Sequence, residues 1–125
     1  LLQTDAFHVL GHINVVDRYG SHLPTPSCGA DQVDAILRHL IEKGKGIEIN
    51  TSSFRYGMGN HTTPTDRILR RYRELGGEII TVGSDAHAPR HVGHGLQWGY
   101  DTLRGLGYRY VTCFSRRSPR FVAIP

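Results

Sequence analysis

The residues from Gly83 to His87, in the order Gly-Ser-Asp-Ala-His, place a carboxylate and an imidazole close together after a hydrophobic segment. In an extended backbone, side chains two positions apart point to the same side, so Asp85 and His87 would face one ligand together. A histidine nitrogen beside a carboxylate oxygen suits zinc, manganese or iron better than calcium. The motif therefore predicts metal binding, with Asp85 and His87 as ligands. The alternative is a helix-capping aspartate followed by a surface histidine.

His12, shortly after an apolar segment at residues 7–10, is a third candidate ligand. Taken alone, a histidine at a strand end is equally well explained by a hydrogen bond to a backbone carbonyl. His12 follows its predicted strand as Asp85 follows a neighbouring one, which favours a role for His12 as a metal ligand. Arg18 and Arg55 lie in loops at the same predicted edge. Because the planar arginine fork matches a phosphate, both are predicted to bind a phosphate ester, the alternative being a solvated loop arginine.

This set of ligands is small for a catalytic metal centre. An open hydrolytic site needs at least three protein ligands for each metal, and a multinuclear centre needs more. The chain has 8 histidines but no His-x-His pair that could supply two further ligands. We therefore expect the site to be incomplete within this chain.

Length and composition exclude several classes of protein. The 125 residues suit one domain, no apolar run reaches the roughly 20 residues of a membrane helix, and the first residues do not resemble a signal peptide. Cys28 and Cys113 are too few for a disulfide scaffold, which predicts a reducing, cytoplasmic location. The net charge of +4 arises from arginines scattered through the sequence, so neither a nucleic acid nor a membrane is expected as a partner.

Hydrophobic periodicity predicts strands and helices that alternate along the chain. The strands are predicted at residues 7–10, 46–50, 78–83 and 108–114, with 121–124 as a fifth strand or a packed tail. The helices are predicted at residues 31–43, 64–75 and 92–106. In the second helix, Thr63 is the expected N-cap, Pro64 the first helical residue and Asp66 the capping-box acid.

The order βαβαβαβ predicts a parallel sheet with right-handed crossovers. In such sheets and barrels the carboxyl ends of the strands form the active edge. The predicted elements deliver polar groups to this edge from three separate strands. These groups are His12, Asn50 with Arg55, and Asp85 with His87.

Four segments, in this order and spanning nearly the whole chain, resemble the C-terminal half of the PHP superfamily (polymerase and histidinol phosphatase), and in particular its histidinol-phosphate phosphatases. The segments are Val9-Leu10-Gly11-His12, Ile47-Glu48-Ile49-Asn50-Thr51-Ser52, Gly76-Gly77-Glu78-Ile79-Ile80-Thr81 and Gly83-Ser84-Asp85-Ala86-His87. The resemblance implies an α/β fold in which residues 1–125 form the C-terminal half of a distorted (β/α)7 TIM-like barrel. A complete barrel takes about 250 residues, so the N-terminal half would be absent.

The resemblance also implies a chemistry, namely metal-dependent hydrolysis of L-histidinol phosphate to L-histidinol and phosphate in histidine biosynthesis. His12, Asp85 and His87 then correspond to ligands of a centre that holds up to three zinc, manganese or iron ions. The resemblance also implies that Asp85 and His87 are catalytic residues. Arg18 and Arg55 resemble the phosphate-binding arginines, and Glu48 and Asn50 are expected to support the site.

Two alternatives stay open. One is another PHP phosphoesterase. The other is a catalytically incomplete chain that self-associates through open barrel edges or acts only with its missing half or a partner.

Overall fold

A computed structural model describes residues 3–13, 29–57 and 62–125, and shows an α/β fold. The strands are β1 (Val9–Leu10), β2 (Gly46–Asn50), β3 (Ile80–Gly83), β4 (Tyr110–Ser115) and β5 (Ser118–Ala123). The helices are α1 (Ala30–Glu42), α2 (Asp66–Glu74) and α3 (Leu96–Gly105). Short 3-10 helices cover Ser52–Tyr56 and Pro89–His91. No helix in the described ranges has both the length and the apolar character that a membrane crossing requires.

Strands β1, β2 and β3 form a parallel sheet in sequence order. Ile47 of β2 pairs with Ile80 of β3, and Asn50 at the end of β2 pairs with Gly83 at the end of β3. This register confirms the predicted parallel α/β arrangement and brings the carboxyl ends of the strands to one edge. The bounds of β2 agree with the prediction, whereas β1 and β3 each begin two residues later than expected.

The core lies between this sheet and the apolar faces of the helices. Buried and exposed residues do not alternate along β2. Ile47 and Ile49 are fully buried, and Gly46 and Asn50 are buried as well. Leu37 of α1 and Leu69 of α2 are also fully buried. Each such side chain contributes roughly 1.5–3 kcal/mol of hydrophobic stabilisation. The strands and helices that carry the polar carboxyl edge of the sheet are therefore held in place by core packing.

The start of α2 differs from the prediction. The helix begins at Asp66 with Thr65 in the N-cap position, so the expected N-cap at Thr63 and helix start at Pro64 are wrong. Thr63 instead exchanges two backbone hydrogen bonds with Asn50, at 2.7 and 3.1 Å. Because this bridge fixes Thr63 in an extended backbone at the end of β2, the helix can begin only after it.

The start of α3 also lies later than predicted, at Leu96 in place of Val92. Gly93 and Gly95 both have a left-handed backbone with φ of 76°. A right-handed helix cannot include such residues, so the segment between β3 and α3 is a longer loop than hydrophobic periodicity indicated.

The prediction of a fourth parallel strand is wrong. Strand β4 pairs antiparallel with β5 in a separate two-stranded sheet, from Tyr110 opposite Ala123 to Ser115 opposite Ser118. Arg116 and Arg117 form the two-residue connection, with φ of 47° and 68°. Positive φ at both central residues is the geometry of a type I′ turn, whose twist matches that of the two strands, so the chain reverses there.

This hairpin packs at the amino-terminal end of the parallel sheet. The backbone N–H of Ile80, the first residue of β3, donates to Thr112 Oγ1 at 3.2 Å. The ring of His8, just before β1, stacks on Phe114 with centroids 5.6 Å apart, and Arg117 Nε lies 3.2 Å from His8 Nε2. The fifth strand therefore belongs to an element at the opposite end of the sheet from His12 and Asp85.

Candidate metal and phosphate site

The carboxyl edge of the parallel sheet gathers polar groups from all three strands. His12 follows β1, Asn50 ends β2, and Asp85 follows β3. Since neighbouring parallel strands lie about 4.8 Å apart, residues that follow them in register come close together. The structure thus places His12, Asn50 and Asp85 at a common edge, as the sequence indicated.

Two of these residues have a left-handed backbone. His12 has φ of 57° and Asp85 has φ of 50°, a conformation that non-glycine residues rarely adopt. The extended segment assumed for Asp85 and His87 is therefore wrong, because the chain turns at Asp85. Such backbone conformations cost about 1–3 kcal/mol and cluster at functional sites, where the surrounding structure holds them in place.

Glu48 lies between the two turns. Its Oε2 is 3.8 Å from His12 Nδ1. A Cβ atom built on Gly11 would lie 3.2 Å from that oxygen, and one built on Gly83 would lie 2.5 Å from Oε1. The bare glycines on both flanks therefore leave room for this carboxylate at the centre of the edge.

Burial raises the pKa of the Glu48 carboxyl above its ordinary value, and the nearby His12 imidazole partly offsets this increase. A carboxylate beside an imidazole nitrogen can fix the orientation of the ring and leave the other ring nitrogen for a ligand. Glu48 thus has the position of a supporting group for His12.

Asn50 connects His12 to the loop that follows β2. Its side chain is fully buried, its Oδ1 accepts a hydrogen bond from the backbone N–H of Ser52 at 2.8 Å, and its Nδ2 lies 3.4 Å from His12 Nδ1. The same residue carries the backbone bridge to Thr63. Asn50 therefore fixes the path of the loop that carries Arg55.

Asp85 and His87 are in contact in spite of the turn between them. His87 Nδ1 lies 2.9 Å from the backbone oxygen of Asp85 and 3.8 Å from its Oδ1. The Asp85 side chain is 18% exposed, whereas that of His87 is 73% exposed. The carboxylate is thus held within the edge while the imidazole stands open to a ligand.

Arg55 is brought to the same place from the loop after β2. Its Nη2 donates to the backbone oxygen of Asp85 at 2.7 Å, and its guanidinium lies 6.0 Å from the ring centroid of Tyr56. Its Nη1 is buried and has no hydrogen-bond partner among the described residues. A buried arginine N–H without an acceptor is costly, so this atom is available to an oxygen acceptor. Arg18, the other predicted phosphate-binding arginine, lies outside the described residues.

The loop after β3 brings further basic side chains near this edge. Partial burial, together with the neighbouring cations Arg90 and Arg55, lowers the pKa of His91. Thr51, to which no sequence motif gave a role, is fully buried, and its Oγ1 donates to the backbone oxygen of His94 at 2.7 Å. Its position directly after a buried strand is the only signal that the sequence offers. Thr51 ties the loop after β3 to the end of β2.

The donor types at this edge suit zinc, but the described residues do not complete a metal site. Within residues 3–13, 29–57 and 62–125, no group of three or more His, Cys, Asp or Glu side chains is placed to hold a metal ion. His12 and Asp85 stand on different strands with Glu48 between them. The edge therefore supplies imidazole and carboxylate donors for part of a site, in agreement with the small ligand count of the sequence.

The chain is similar to curated histidinol-phosphatases. It is 33% identical over 106 residues to a probable histidinol-phosphatase of Thermotoga maritima, a match that covers 84% of this chain and 43% of the relative. It is 27% identical over 116 residues to the histidinol-phosphatase of Lactococcus lactis, covering 87% of this chain and 41% of that protein. No family model matches the sequence.

One solved structure has a similar fold. The crystal structure of a histidinol phosphate phosphatase from Lactococcus lactis, complexed with zinc, L-histidinol and phosphate, matches with a TM-score of 0.78 at 24% identity. The match covers 95% of this chain and 46% of that structure. The chain thus spans less than half the length of the relatives that it matches.

Proposed function

We propose that the chain, which belongs to the histidinol-phosphatase family of the PHP superfamily and spans less than half of its relatives' length, forms part of a metal-dependent phosphomonoester hydrolase. Its substrate is L-histidinol phosphate, which is hydrolysed to L-histidinol and phosphate. The partner is therefore a small phosphorylated molecule, and the pathway served is histidine biosynthesis.

The proposal includes the architecture. Residues 1–125 form the C-terminal half of a distorted (β/α)7 barrel, and the carboxyl edge of the sheet faces the barrel mouth. The parallel order β1-β2-β3 and the match to 46% of a histidinol phosphate phosphatase structure support this half-barrel.

The observation that carries the proposal is the pairing of Arg55 with Asp85. One guanidinium nitrogen of Arg55 is held by the backbone of Asp85, and the other is buried without a partner among the described residues. An arginine that is oriented in this way can give its remaining N–H to a phosphate oxygen without losing further side-chain freedom. We assign Arg55 to the substrate phosphate, and Arg18 to the same role on the basis of the sequence.

The metal ligands in this proposal are His12, Asp85 and His87. Imidazole and carboxylate donors suit zinc, manganese or iron, and the related Lactococcus lactis structure contains zinc. When bound, such ions lower the pKa of a coordinated water and neutralise phosphate oxygens. The remaining ligands of a centre with up to three ions come from outside the described residues.

The chain's own groups have separate roles in hydrolysis. Arg55 binds the phosphoryl group and stabilises the negative charge that develops on its oxygens. Asp85 accepts a hydrogen bond from the attacking water through its carboxylate, which orients the water toward phosphorus. His87, exposed and anchored by its Nδ1 to the backbone of Asp85, presents Nε2 to the reacting groups.

A second proposal is that the chain alone is catalytically incomplete and acts only with its missing half or a second copy. Two observations favour it. The described residues hold no group of three metal-binding side chains, and all six residues of the edge strand β5 are exposed. Exposed strand edges promote association, so this proposal predicts dimers or larger species in solution.

Phosphate release from L-histidinol phosphate tests both proposals. The chain is assayed with zinc or manganese, alone and mixed with the part of the Lactococcus lactis relative that it does not cover. The first proposal predicts hydrolysis that Asp85→Asn abolishes and Asp31→Asn, an exposed residue of α1, leaves unchanged. Hydrolysis only in the mixture, together with association in light scattering, supports the second proposal. Faster hydrolysis of a polynucleotide would instead indicate another PHP phosphoesterase, and equal rates for Asp85→Asn would contradict the assigned site.

A further inference from the structure

A second cleft lies at the other end of the sheet from His12 and Asp85. It has a volume of about 750 Å³ and is bordered by the C-terminal ends of α2 and α3, the segment that leads into β3 and the hairpin. This volume is within the usual range of about 300–1,000 Å³ for sites that bind small molecules. The proposed hydrolysis does not use this cleft.

Three arginines line the cleft, namely Arg70, Arg73 and Arg109. Arg73 is engaged in the fold, because its Nη1 donates to the backbone oxygen of Leu106 at 2.9 Å and its guanidinium lies 5.9 Å from the Tyr108 ring centroid. The side chains of Arg70 and Arg109 make no hydrogen bond or ion pair within the described ranges of the chain. Two arginine forks are therefore free to bind a phosphate or carboxylate.

Two half-exposed aromatic side chains also line the cleft. Tyr110 on β4 is 51% exposed, and Phe121 on β5 is 48% exposed. In the hairpin register, Tyr110 pairs with Ala123 and Thr112 pairs with Phe121, so the two rings are diagonal neighbours on one face. Large aromatic side chains that stay half exposed in a concave surface offer a stacking platform for a planar ring.

Acidic groups complete the lining. Glu74 is paired with Arg71 outside the cleft at 3.5 Å, whereas the Glu78 carboxylate makes no ion pair within the described residues. A free carboxylate accepts hydrogen bonds from hydroxyl or amino groups but repels a second anion. The cleft thus combines an anion site, a ring platform and an acceptor for hydroxyl groups.

We propose that this cleft binds a small organic anion that joins a phosphate to a planar ring through a hydroxylated linker, the chemistry of a nucleoside monophosphate. The phosphate lies between Arg70 and Arg109, the ring packs on Tyr110 and Phe121, and the hydroxyl groups donate to Glu78. The site is separate from the carboxyl edge, so it does not depend on the proposed hydrolysis.

Calorimetric titration of the chain with AMP, adenosine and inorganic phosphate tests this site. AMP is expected to bind with a Kd below about 1 mM, and more tightly than either adenosine or phosphate. The double variant Arg70→Gln/Arg109→Gln is expected to weaken AMP binding by about tenfold or more. Arg120→Gln, on the hairpin but outside the cleft, serves as the matched control and keeps the wild-type Kd.

Two further variants separate the sources of binding. Phe121→Ala is expected to weaken AMP binding and to leave phosphate binding unchanged, because only the ring platform is lost. Arg104→Gln, at an exposed α3 arginine outside the cleft, is expected to leave AMP binding unchanged. No AMP binding up to about 1 mM would overturn the proposal. Equal Kd values for the arginine double variant and the wild type would also overturn it, as would an equal weakening by Arg104→Gln, because AMP binding would then follow net charge and not the cleft.

Discussion

Arg55 donates a hydrogen bond from Nη2 to the backbone oxygen of Asp85 over a distance of 2.7 Å, joining the loops that follow β2 and β3. The bond uses the backbone of Asp85, so its carboxylate stays available to a ligand. It also fixes the plane of the guanidinium, whose buried Nη1 lacks an acceptor in the described residues. The proposed metal ligand Asp85 and the proposed phosphate-binding residue Arg55 are thus held in one arrangement.

The substitution Arg55→Lys tests whether the charge of this side chain or its planar shape matters for phosphate binding. Lysine keeps the positive charge but cannot bond the Asp85 carbonyl and a phosphate through one planar fork. We expect a weakening of phosphate binding by about tenfold, with little change in the overall fold. Calorimetric titration with inorganic phosphate measures the effect in the Arg70→Gln/Arg109→Gln background, which removes the phosphate site proposed for the second cleft. Arg104→Lys, an exposed α3 residue paired with Asp101, is the control, and an equal loss in both variants would contradict the assignment.

His12 occupies a left-handed backbone position, and this gives a prediction about stability. Asparagine tolerates φ near 57° better than alanine does, because its short polar side chain bonds locally. We expect His12→Ala to lower the free energy of unfolding by about 1 kcal/mol relative to His12→Asn. Both variants lose the imidazole and should weaken zinc binding equally. Urea unfolding and zinc titration measure the two effects, and equal stabilities would show that His12 carries no backbone strain.

The sequence predicted the elements whose pattern is local. The bounds of β2 are predicted correctly because β-branched residues alternate there with glycine and polar residues. Helix α1 is predicted because its apolar residues fall on one helix face. The gathering of His12, Asn50 and Asp85 followed from the parallel order of the strands.

Other features depend on contacts between distant residues. The place of Glu48 between Gly11 and Gly83 requires the register of three strands. The Arg55–Asp85 bond joins residues 30 positions apart. The sequence does not indicate the left-handed turn at Asp85, because the segment around it resembles the continuation of a strand.

The ion pairs of Asp34 lead to a prediction about how the free energy of unfolding depends on pH. Its carboxylate accepts from Arg71 Nε at 2.5 Å and from Arg38 Nε at 2.9 Å, and these hydrogen bonds lower its pKa to about 2. A carboxyl whose folded pKa is below its unfolded value stabilises the protein above the unfolded pKa of 3.8, and this contribution is lost as the pH falls toward 2.

The measurement is urea unfolding from pH 5 to pH 2. Wild type is expected to be more stable than Asp34→Asn at pH 5, and the difference should close as the pH falls through this window. Asp31→Asn, on the same helix, gives the background of a surface aspartate. A constant difference between wild type and Asp34→Asn over the whole range would rule out this linkage. Because the groups are partly exposed, added salt should reduce the difference.

The hairpin turn gives the last prediction. Arg116 and Arg117 adopt φ of 47° and 68°, which suits asparagine and glycine but strains arginine. The double substitution Arg116→Asn/Arg117→Gly should raise the free energy of unfolding by about 1 kcal/mol. It also removes the Arg117 contact to His8, an exposed interaction that contributes little. The opposite double substitution, Arg116→Val/Arg117→Val, should destabilise the hairpin, because β-branched residues resist positive φ. Urea unfolding ranks the three proteins, and a less stable Asn-Gly variant would mean that the His8 contact, and not the turn conformation, holds the hairpin against the sheet.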